Sequence, residues 1–348
     1  MQRAVVVGAN GVIGGNLVAH LQRSRDWDII GLSRRGGVDS ERVQHIAVDL
    51  LDGEETRRRL SHLTDVTHIF YAAYQERPTW AELVPPNLEM LVNVVSVIER
   101  SSPTLKHVSL MQGYKVYGAH LGPFKTPARE SDPPHMPPEF NVDQQHFLET
   151  RQVGKTWTWS AMRPSVVCGV ALGNPMNLAT VIAVYATMCK KLGVPMRFPG
   201  KPGAFGSLLE MTDASLLAEA TVWAATTPEC ANQAFNITNG DLFRWNDMWP
   251  RIAGLFGVDT ATPLPMSLAD VMADKESLWN SIVAEHDLRP TPYRDVSAWG
   301  FGDFVFSWDY DVISDGSKAR RLGFHRFVDT EAMFAEIFAE LRRLRIIP

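Results

Sequence analysis

The stretch AVVVGANGVIGG at residues 4–15 decides the fold, because it joins a short apolar strand to a helix through glycines spaced G-x-x-G-x-x-G. The stretch DIIGLSRR at residues 28–35 predicts a second strand after that helix. Gly8 permits a tight turn, Gly11 lets a pyrophosphate approach, and Gly14 lets the helix pack closely on the strand. Free N–H groups at the helix N-terminus favour an anion. The pattern therefore predicts a dinucleotide site.

The second strand ends on Ser33-Arg34-Arg35, where NAD sites normally carry an acid that binds the ribose 2′-hydroxyl. Two guanidinium groups suit a 2′-phosphate instead, so NADPH is the predicted cofactor. The alternatives are a glycine-rich turn without a ligand and a solvated basic pair. We expect cofactor contacts from Gly8, Asn10, Gly11, Val12, Ile13, Gly14, Ser33, Arg34 and Arg35.

Composition limits the function classes. The chain has 348 residues, a net charge of −5 and a pI near 6.1, which argue against a nucleic-acid surface. The sequence contains no run of about 18 apolar residues, which would predict a membrane span, and no signal peptide is recognisable. We therefore expect a cytoplasmic protein. Cys168, Cys189 and Cys230 form no C-x-x-C pair, which predicts buried cysteines and no metal site.

Strands alternate with helices through about residue 170, which predicts an α/β fold with a doubly wound parallel sheet. Further strands are predicted at Val43–Val48, Thr67–Ala72, His107–Met111, Trp157–Arg163 and Ala234–Ile237. Helices are predicted at Leu88–Glu99, Met176–Cys189, Ala214–Ala225 and 330–345. We expect a cofactor-binding core over 1–170 and a substrate-binding region over 171–348 that completes the core.

Ligands of such sheets bind beyond the carboxyl ends of the strands. Asp49 follows the third strand, where a carboxylate can meet the adenine amino group, and the alternative is an aspartate that caps the next helix. Small residues after the fourth strand let a cofactor lie flat, and the segment after the sixth offers backbone groups to a nicotinamide. These considerations predict contacts at Asp49, Leu50, Ala72, Ala73, Pro164, Ser165, Val166 and Val167.

Two longer segments frame the predicted site. Residues 119–140 contain six prolines and predict an irregular loop over it. Residues 245–310 are rich in aromatic residues, which either line an apolar substrate pocket or, the more common case, form core. The tryptophans concerned are Trp245, Trp249, Trp279, Trp299 and Trp308.

The segment Gly113-Tyr114-Lys115-Val116-Tyr117-Gly118 follows the fifth predicted strand, and Gly122-Pro123-Phe124 comes shortly afterwards. This segment resembles the G-x-K-x-Y-x-G element of the progesterone 5β-reductase/iridoid synthase-like (PRISE) branch of the extended short-chain dehydrogenases. The resemblance covers nearly the whole chain and implies a Rossmann-type sheet with a smaller, mixed C-terminal region. The other matching motifs, in order, are Gly31–Arg35, Asn87–Val94, Thr158–Pro164, Met176–Leu178, Arg197–Gly200, Ala234–Asp241 and Trp245.

The resemblance implies NADPH-dependent 1,4-reduction of an enone or enal, or reduction of a related carbonyl, in an apolar small molecule. Lys115 carries over as a ligand of the oxyanion or of the ribose, and a surface lysine is the alternative. The family's tyrosine comes from an F-Y-Y element before the sixth strand, but this chain has Asn141 and Val142 there. Tyr117 is a candidate to take over its catalytic role. Other candidates for facing the substrate are Tyr74, Asn141, Val142, Gln144 and His146.

Two other functions compete with a reductase. The missing tyrosine motivates an isomerase, a cyclase or a binding protein that retains NADP(H) as a structural ligand. A sugar-nucleotide epimerase is opposed by the absence of any Tyr-x-x-x-Lys and by Ser33-Arg34-Arg35. A homodimer is compatible with the sequence.

Overall fold

The computed structural model describes residues 2–171, 173 and 176–348. Its strands are β1 (Gln2–Val7), β2 (Trp27–Ser33), β3 (Val43–Ala47), β4 (His68–Tyr71), β5 (His107–Met111), β6 (Thr158–Pro164), β7 (Val166–Cys168), β8 (Met211–Asp213) and β9 (Gln233–Ile237). Its first helices are α1 (Val12–Ser24), α2 (Gly53–Leu60), α3 (Trp80–Ser101), α4 (Phe140–Gln152), α5 (Leu178–Leu192) and α6 (Ala214–Thr226). The remaining helices are α7 (Trp245–Phe256), α8 (Leu268–Val271), α9 (Glu276–Glu285), α10 (Tyr293–Val296), α11 (Trp299–Phe306), α12 (Ser317–Arg321) and α13 (Thr330–Arg343).

Seven parallel strands form the main sheet, in the order β3-β2-β1-β4-β5-β6-β9. The neighbours of β1 are β2 on one side and β4 on the other, so the strand order reverses there. In open α/β sheets, ligands bind outside the carboxyl ends of the strands at this switch point. The arrangement confirms the predicted doubly wound sheet and places the glycine loop at the switch point.

Apolar layers cover both faces of this sheet, which explains why its strands read as nearly continuous apolar runs. On one face Ala4 and Val6 of β1 lie in a core with Leu17 and Leu21 of α1. On the opposite face Val5 and Val7 share a core with residues of α3. Successive side chains of a strand point to opposite faces, so the short run of β1 supplies both layers.

The chain divides into two compact units by its internal contacts. One unit contains the residues up to 164, 214–237 and 315–325, and the other contains 165–213, 238–314 and 326–348. The chain therefore leaves the first unit after Pro164 and returns to it twice. The sequence predicts that residues 1–170 bind the cofactor and that residues 171–348 bind the substrate. This assignment of roles to the two regions stays a prediction.

The second unit is built around β7 and β8, which pair in parallel, and around α5, whose residues 178–189 are all buried. Four of the five tryptophans named above, Trp245, Trp249, Trp279 and Trp299, are buried in it. The rings of Trp245 and Trp249 lie edge to face with Phe306 at 5.4 and 5.5 Å. Aromatic pairs at such distances add about 0.5–1.5 kcal/mol beyond their buried area. These four rings are therefore core.

Helix α3 begins earlier than the sequence predicts, at Trp80 instead of Leu88. The Thr79 side chain accepts a hydrogen bond from the amide of Glu82 at 3.3 Å and so caps the helix before its two internal prolines. Proline normally signals the start or interruption of a helix, which explains the late predicted start. The other helices predicted at 176–189, 214–225 and 330–345 are found as α5, α6 and α13.

Among the described helices, α3 is also long and apolar enough to cross a membrane by length and composition. In its most apolar window 44% of the residues are buried, and Leu91, Val94 and Ile98 lie in the core layer against the sheet. Core helices of globular proteins pass the same length and composition test. The helix is therefore weak evidence for a span, and the expectation of no membrane segment stays a prediction.

We predict that Gly14→Ala destabilises the protein by about 2–4 kcal/mol, because a Cβ at this position would overlap the backbone carbonyl of Gly8. The matched control is Gly15→Ala in the same helix turn, where the nearest atom, the Ala9 oxygen, is 3.4 Å from the added Cβ. That change should be neutral or stabilising, by up to about 1 kcal/mol of helix propensity. Urea midpoints compare the two variants, and equal midpoints would contradict the close-packing role of Gly14.

Candidate active site

The glycine loop closes tightly on the end of β4. Gly8 has a φ of +84°, and a Cβ there would lie 2.8 Å from the carbonyl oxygen of Ala72. Gly11 precedes α1 without any side-chain cap, and the first backbone bond into the helix comes from Gly15 to Gly11 at 2.8 Å. The amides of residues 12–14 therefore have no acceptor within the helix, which leaves donors for an anion. This geometry is the one that the spacing of the glycines predicts.

The end of β2 carries two exposed cations beside this loop. The Asn10 side chain donates to the Ser33 hydroxyl at 3.0 Å and to the Gly36 carbonyl at 2.8 Å, which ties the loop to the end of β2. Arg34 and Arg35 are both exposed, and no carboxylate lies within 4.0 Å of either guanidinium in the part of the chain that the structure describes. Both cations are therefore free to meet an anionic ligand.

Asp49 and Leu50 follow β3 but present different groups. The Asp49 carboxylate is exposed and accepts the amide of Leu51 at 3.1 Å, whereas the Leu50 side chain is buried in the core. The alternative role of Asp49, capping the next helix, is wrong. The cap of α2 is Asp52, which accepts the amide of Glu55 at 2.9 Å.

The segments after β4 and β6 were also expected to contact the cofactor. Ala72 donates its amide to the Val7 carbonyl at 2.9 Å and so extends the pairing with β1, and Ala73 packs against the core. The carbonyl of Pro164 lies 3.6 Å from where a Cβ of Gly113 would be, which brings the end of β6 next to the predicted catalytic segment.

The last three of these predicted residues, Ser165, Val166 and Val167, belong to the second unit. The amide of Ser165 donates to the Thr212 hydroxyl at 3.0 Å, and its own hydroxyl donates to the Glu210 carbonyl at 2.7 Å. Val166 and Val167 are buried in β7 and pair with β8. Their role as nicotinamide contacts stays a prediction.

Lys115 lies on a 3-10 turn, Tyr114–Tyr117, directly after β5. Its Nζ is 4.8 Å from the centre of the Trp80 ring and 5.6 Å from that of Tyr74, so the cation rests against two aromatic rings. Burial lowers the pKa of Lys115, while the negative charges of Glu76 and Glu139 act in the opposite direction. No carboxylate is within 4.0 Å of Nζ among the described residues, so the ammonium is free for a ligand.

Several side chains around this ammonium were not identified from the sequence. Trp80 and His120 contact each other with ring centres 4.5 Å apart, edge to face. We call Tyr74, Trp80, Lys115 and His120 the Lys115 cluster. Glu139 is buried and lies close enough to Lys115 for their charges to interact. No periodicity or motif links these residues, because Trp80 begins α3, whereas His120 and Glu139 lie in the long segment before α4.

Tyr117, the candidate catalytic tyrosine, has a fully engaged hydroxyl. It donates to the Asn236 side-chain oxygen at 2.7 Å and accepts from Arg163 Nη1 at 3.0 Å. Burial, the largest influence, raises the pKa of Tyr117 to about 12, so the hydroxyl stays protonated at neutral pH. Its partners, Asn236 and Arg163, are buried, and the hydrogen bonds that the described residues make to its hydroxyl come from outside the Lys115 cluster.

The start of α4 holds the residues that replace the family's tyrosines. The Asn141 side chain donates to Glu139 Oε1 at 2.8 Å, and Glu139 Oε2 accepts the amide of Val142 at 3.2 Å as the helix cap. Gln144 is buried and donates to the Asn87 carbonyl at 2.7 Å. The amide nitrogens of Asn141 and Gln144 are thus used within the protein, and Val142 offers no hydrogen bond from its side chain.

The other two predicted substrate contacts differ in position. The Tyr74 ring belongs to the Lys115 cluster, packs 5.6 Å from the Phe140 ring and donates its hydroxyl to Glu76 at 2.8 Å. The His146 side chain is 80% exposed and lies 3.9 Å from Glu149 in the next turn of α4. The structure therefore brings Tyr74 to Lys115 and leaves His146 on the surface. Both assignments to the substrate stay predictions.

The cysteines are buried, as the sequence predicts. Burial raises the pKa of the Cys189 and Cys230 thiols to about 11, which keeps them unreactive at neutral pH. Within residues 2–171, 173 and 176–348, no three His, Cys, Asp or Glu side chains are grouped to hold a metal ion.

Two known enzymes are similar to this chain over nearly its whole length. An (S)-8-oxocitronellyl enol synthase ISY1 of Nepeta racemosa is 34% identical, with 99% of this chain and 93% of that protein covered. A 3-oxo-Delta(4,5)-steroid 5-beta-reductase of Arabidopsis thaliana is 32% identical, with the same coverage, 99% and 93%. The names reductase and enol synthase are consistent with the oxidoreductase class expected from the sequence.

Solved structures show the same fold. A UDP-glucose 4-epimerase of Thermotoga maritima with UDP-glucose matches with a TM-score of 0.71 and 17% identity, over 98% of this chain and 99% of that one. A UDP-glucose 4-epimerase of Thermus thermophilus in complex with NAD gives a TM-score of 0.69, also at 17% identity, over 98% and 99%. At this identity the likeness concerns the fold alone.

The family resemblance and the fold class predicted from the sequence are both confirmed. The sequence model of the PRISE-like Rossmann-fold domain matches residues 40–348. Together with relatives at 34% and 32% identity over 99% of the chain, this match shows that the chain belongs to the PRISE-like Rossmann-fold family.

Proposed function

We propose that the chain is an NADPH-dependent reductase of an apolar small molecule, and that it carries out 1,4-reduction of an enone or enal or reduction of a related carbonyl. The observation that carries the proposal is the Lys115 ammonium, which rests on the Trp80 and Tyr74 rings and has no carboxylate within 4.0 Å among the described residues. A positive charge held in place in this way is suited to an oxygen that becomes negative during the reaction. The relatives named reductase and enol synthase support the same class of chemistry.

The residues at the carboxyl ends of β1 and β2 fit NADPH. The free amides at the start of α1 suit the pyrophosphate, and the unpaired Arg34 and Arg35 suit the 2′-phosphate. No acidic side chain takes the position at the end of β2 that binds a ribose 2′-hydroxyl in NAD sites. When bound, NADPH supplies a hydride to the substrate.

The chain's own contribution is to hold the substrate oxygen. In a 1,4-reduction the β-carbon gains the hydride, the electron pair of the double bond shifts, and negative charge appears on the carbonyl oxygen. Lys115 would stabilise that oxygen electrostatically, and in this proposal it would also be able to bind the cofactor ribose. A proton from solvent then reaches the α-carbon and completes the saturated product. The partly exposed Trp80 offers an apolar surface for a flat substrate.

Tyr117 would position the site and would not transfer a proton. Its hydroxyl already has a donor, Arg163, and an acceptor, Asn236, and both partners are buried. A relay tyrosine needs its hydroxyl within reach of the substrate oxygen. We therefore assign Tyr117 to fixing the turn that carries Lys115.

A cofactor-retaining isomerase or cyclase is the second candidate. It is favoured by the start of α4, where Asn141 is bonded to Glu139 and Val142 has no donor, so the family's tyrosine hydroxyl has no direct replacement there. This function predicts tight NADPH binding with no net oxidation in the presence of an enone or enal. Absorbance of NADPH during turnover distinguishes it from the reductase.

We predict that replacing Arg34 and Arg35 with alanine weakens NADPH binding about 10- to 100-fold. A lost charge-assisted hydrogen bond costs about 1.5–3 kcal/mol. NADH binding should change less than threefold, because NADH lacks the 2′-phosphate. Fluorescence titration with both cofactors measures the two affinities. Arg343→Ala, which removes one guanidinium from the exposed surface of α13, is the control. Equal losses of affinity for NADPH and NADH would contradict the assignment of Arg34 and Arg35 to the 2′-phosphate.

Lys115→Met is expected to lower kcat for an enone about 100- to 1000-fold, as loss of an oxyanion donor does in other enzymes. Methionine keeps a long side chain against Trp80 but has no charge. Lys125→Met, on an exposed lysine paired with Asp132, should leave the rate unchanged. Because burial lowers the pKa of Lys115, the ammonium loses its proton below the ordinary pH of about 10.5. The wild-type rate should therefore fall on the alkaline side, and an unchanged rate in Lys115→Met would refute the role.

Tyr117→Phe should lower the free energy of unfolding by about 1–3 kcal/mol, because it leaves buried partners of the hydroxyl unsatisfied. The kcat should stay within about fivefold of the wild type, whereas loss of a general acid or base typically costs 100-fold or more. Chemical denaturation and steady-state kinetics on the same preparation separate these effects. A large fall in kcat with unchanged stability would return Tyr117 to the catalytic group.

A further inference from the structure

The two rings that hold the Lys115 ammonium come from different segments of the chain. Tyr74 lies in the segment between β4 and α3, whereas Trp80 is the first residue of α3. A fixed backbone does not by itself fix a lysine ammonium, because the side chain is a flexible stem of four carbons. The position of Lys115 Nζ therefore depends on how the two rings are held relative to each other.

Asn87 connects the segment of Tyr74 to the helix of Trp80. It is fully buried on α3, about two helical turns after Trp80. Its Oδ1 accepts a hydrogen bond from the Gln75 amide at 2.9 Å, and its Nδ2 donates to the Gln75 carbonyl at 2.9 Å. One side chain thus pairs with both backbone groups of Gln75, as a neighbouring strand would. Tyr74 and Glu76 are the two residues that flank Gln75.

Further hydrogen bonds fix Asn87 itself. Its Nδ2 also donates to the Leu83 carbonyl in the preceding turn of α3 at 2.8 Å, so both N–H groups of the amide are used. Its backbone carbonyl accepts a hydrogen bond from the buried Gln144 side chain of α4 at 2.7 Å. Asn87 therefore joins three segments: the one between β4 and α3, α3 itself, and α4.

Both neighbours of Gln75 act on Lys115. The centre of the Tyr74 ring is 5.6 Å from Lys115 Nζ, and the Tyr74 hydroxyl donates to Glu76 at 2.8 Å. The negative charge of Glu76 favours the charged form of Lys115 and so opposes the lowering of its pKa by burial. Without the hydrogen bonds from Asn87 to Gln75, neither the ring nor the carboxylate would be held beside the ammonium.

We propose that Asn87 is a positioning residue for Lys115, because it fixes the Tyr74 ring relative to Trp80 and thereby sets where the ammonium meets the substrate oxygen. This inference rests on the proposed reductase function and deepens it. Asn87 acts through the two rings, since its own side chain is buried and its amide hydrogens are used within the protein. A displacement of about 1 Å in a reacting group can cost about 100-fold in rate.

The experiment compares Asn87→Ala with Ser102→Ala, a matched change at the opposite end of α3. Ser102 is also buried, accepts a hydrogen bond from the Val66 amide at 3.3 Å and donates to the Leu63 carbonyl at 2.7 Å. Both variants should lower the urea midpoint, because both leave buried backbone groups without a partner. With cyclohexenone as the substrate, Asn87→Ala should lower kcat about 10- to 100-fold, and Ser102→Ala should change it less than about twofold. Equal losses of kcat would overturn the proposal.

A double variant tests whether Asn87 acts through Lys115. In a Lys115→Met background, Asn87→Ala should lower kcat by less than about a further twofold, because there is no ammonium left to position. A loss as large as in the wild-type background would show a merely structural role and would overturn the proposal. If Asn87→Ala does not fold, Asn87→Asp replaces it, since aspartate keeps the size and accepts from the Gln75 amide but donates to neither carbonyl. Its kcat should fall about 10-fold, and a wild-type kcat would contradict the role.

Binding of 4-nitrophenol to the NADP⁺ complex gives a readout that does not depend on turnover. Its ionised form carries a negative oxygen and is followed by absorbance. Lys115→Met should abolish binding of this form, Asn87→Ala should weaken it about 10-fold, and Ser102→Ala should leave it unchanged. Wild-type affinity in Asn87→Ala would overturn the proposal. If the wild type binds nitrophenolate through Lys115 but reduces no enone or enal, the proposed reaction fails, and the positioning role is then decided by these affinities.

Discussion

The buried guanidinium of Arg163 holds together the segments that form the candidate site. Its Nε donates to Gln112 at 2.9 Å, and its Nη atoms donate to Tyr117 at 3.0 Å, to the Glu130 carbonyl at 3.3 Å and to Gln145 at 3.1 Å. A buried charge is tolerated only where its hydrogen bonds are made, so these segments cannot move independently at low cost. The turn after β5, the loop before α4 and α4 itself are therefore set by one residue at the end of β6.

The same network explains where Lys115 can lie. Gln112 accepts from Arg163 and donates to the Asn141 carbonyl at 2.8 Å, which links the residue before Gly113 to the start of α4. The Tyr117 hydroxyl closes the other end of the turn through Asn236 on β9. Lys115 lies between these two anchored points, so the backbone that carries it is fixed, while its ammonium rests against the rings of Trp80 and Tyr74. Rigid placement of a charge before the reaction is the main source of electrostatic catalysis.

Local patterns predicted the parts of the protein that depend on local physics. The glycine spacing around residue 11 and the apolar runs of β1 and β4 predicted the loop and the parallel sheet, because backbone conformation and strand burial are written in adjacent residues. The position of Lys115 came from the family resemblance. His120, Trp80 and Glu139 were not found, because their meeting depends on a loop of 22 residues and on the start of α3, which two prolines obscured. Asp49 was considered as the cap of the next helix, but the cap of α2 is Asp52, because both aspartates precede the helix and the sequence alone does not decide between them.

The distribution of unpaired cations connects the two ends of the site. Many arginines of this chain have a carboxylate partner, as the half-buried Arg3 has in Asp65 and the exposed Arg343 has in Glu340. Arg34, Arg35 and Lys115 have none within 4.0 Å among the described residues, although the chain carries a net charge of −5. Exposed ion pairs are worth little, so their absence at Arg34 and Arg35 costs little stability. For Lys115 the cost is larger, because burial disfavours its charge, and the rings and the negative charges of Glu76 and Glu139 offset that effect only in part. An anion that binds beside Lys115 offsets this cost of burying the charge. The negative oxygen that forms during the reaction offsets more of the cost than the neutral carbonyl oxygen of the substrate does. Such a stronger interaction with the transition state than with the substrate is what accelerates a reaction.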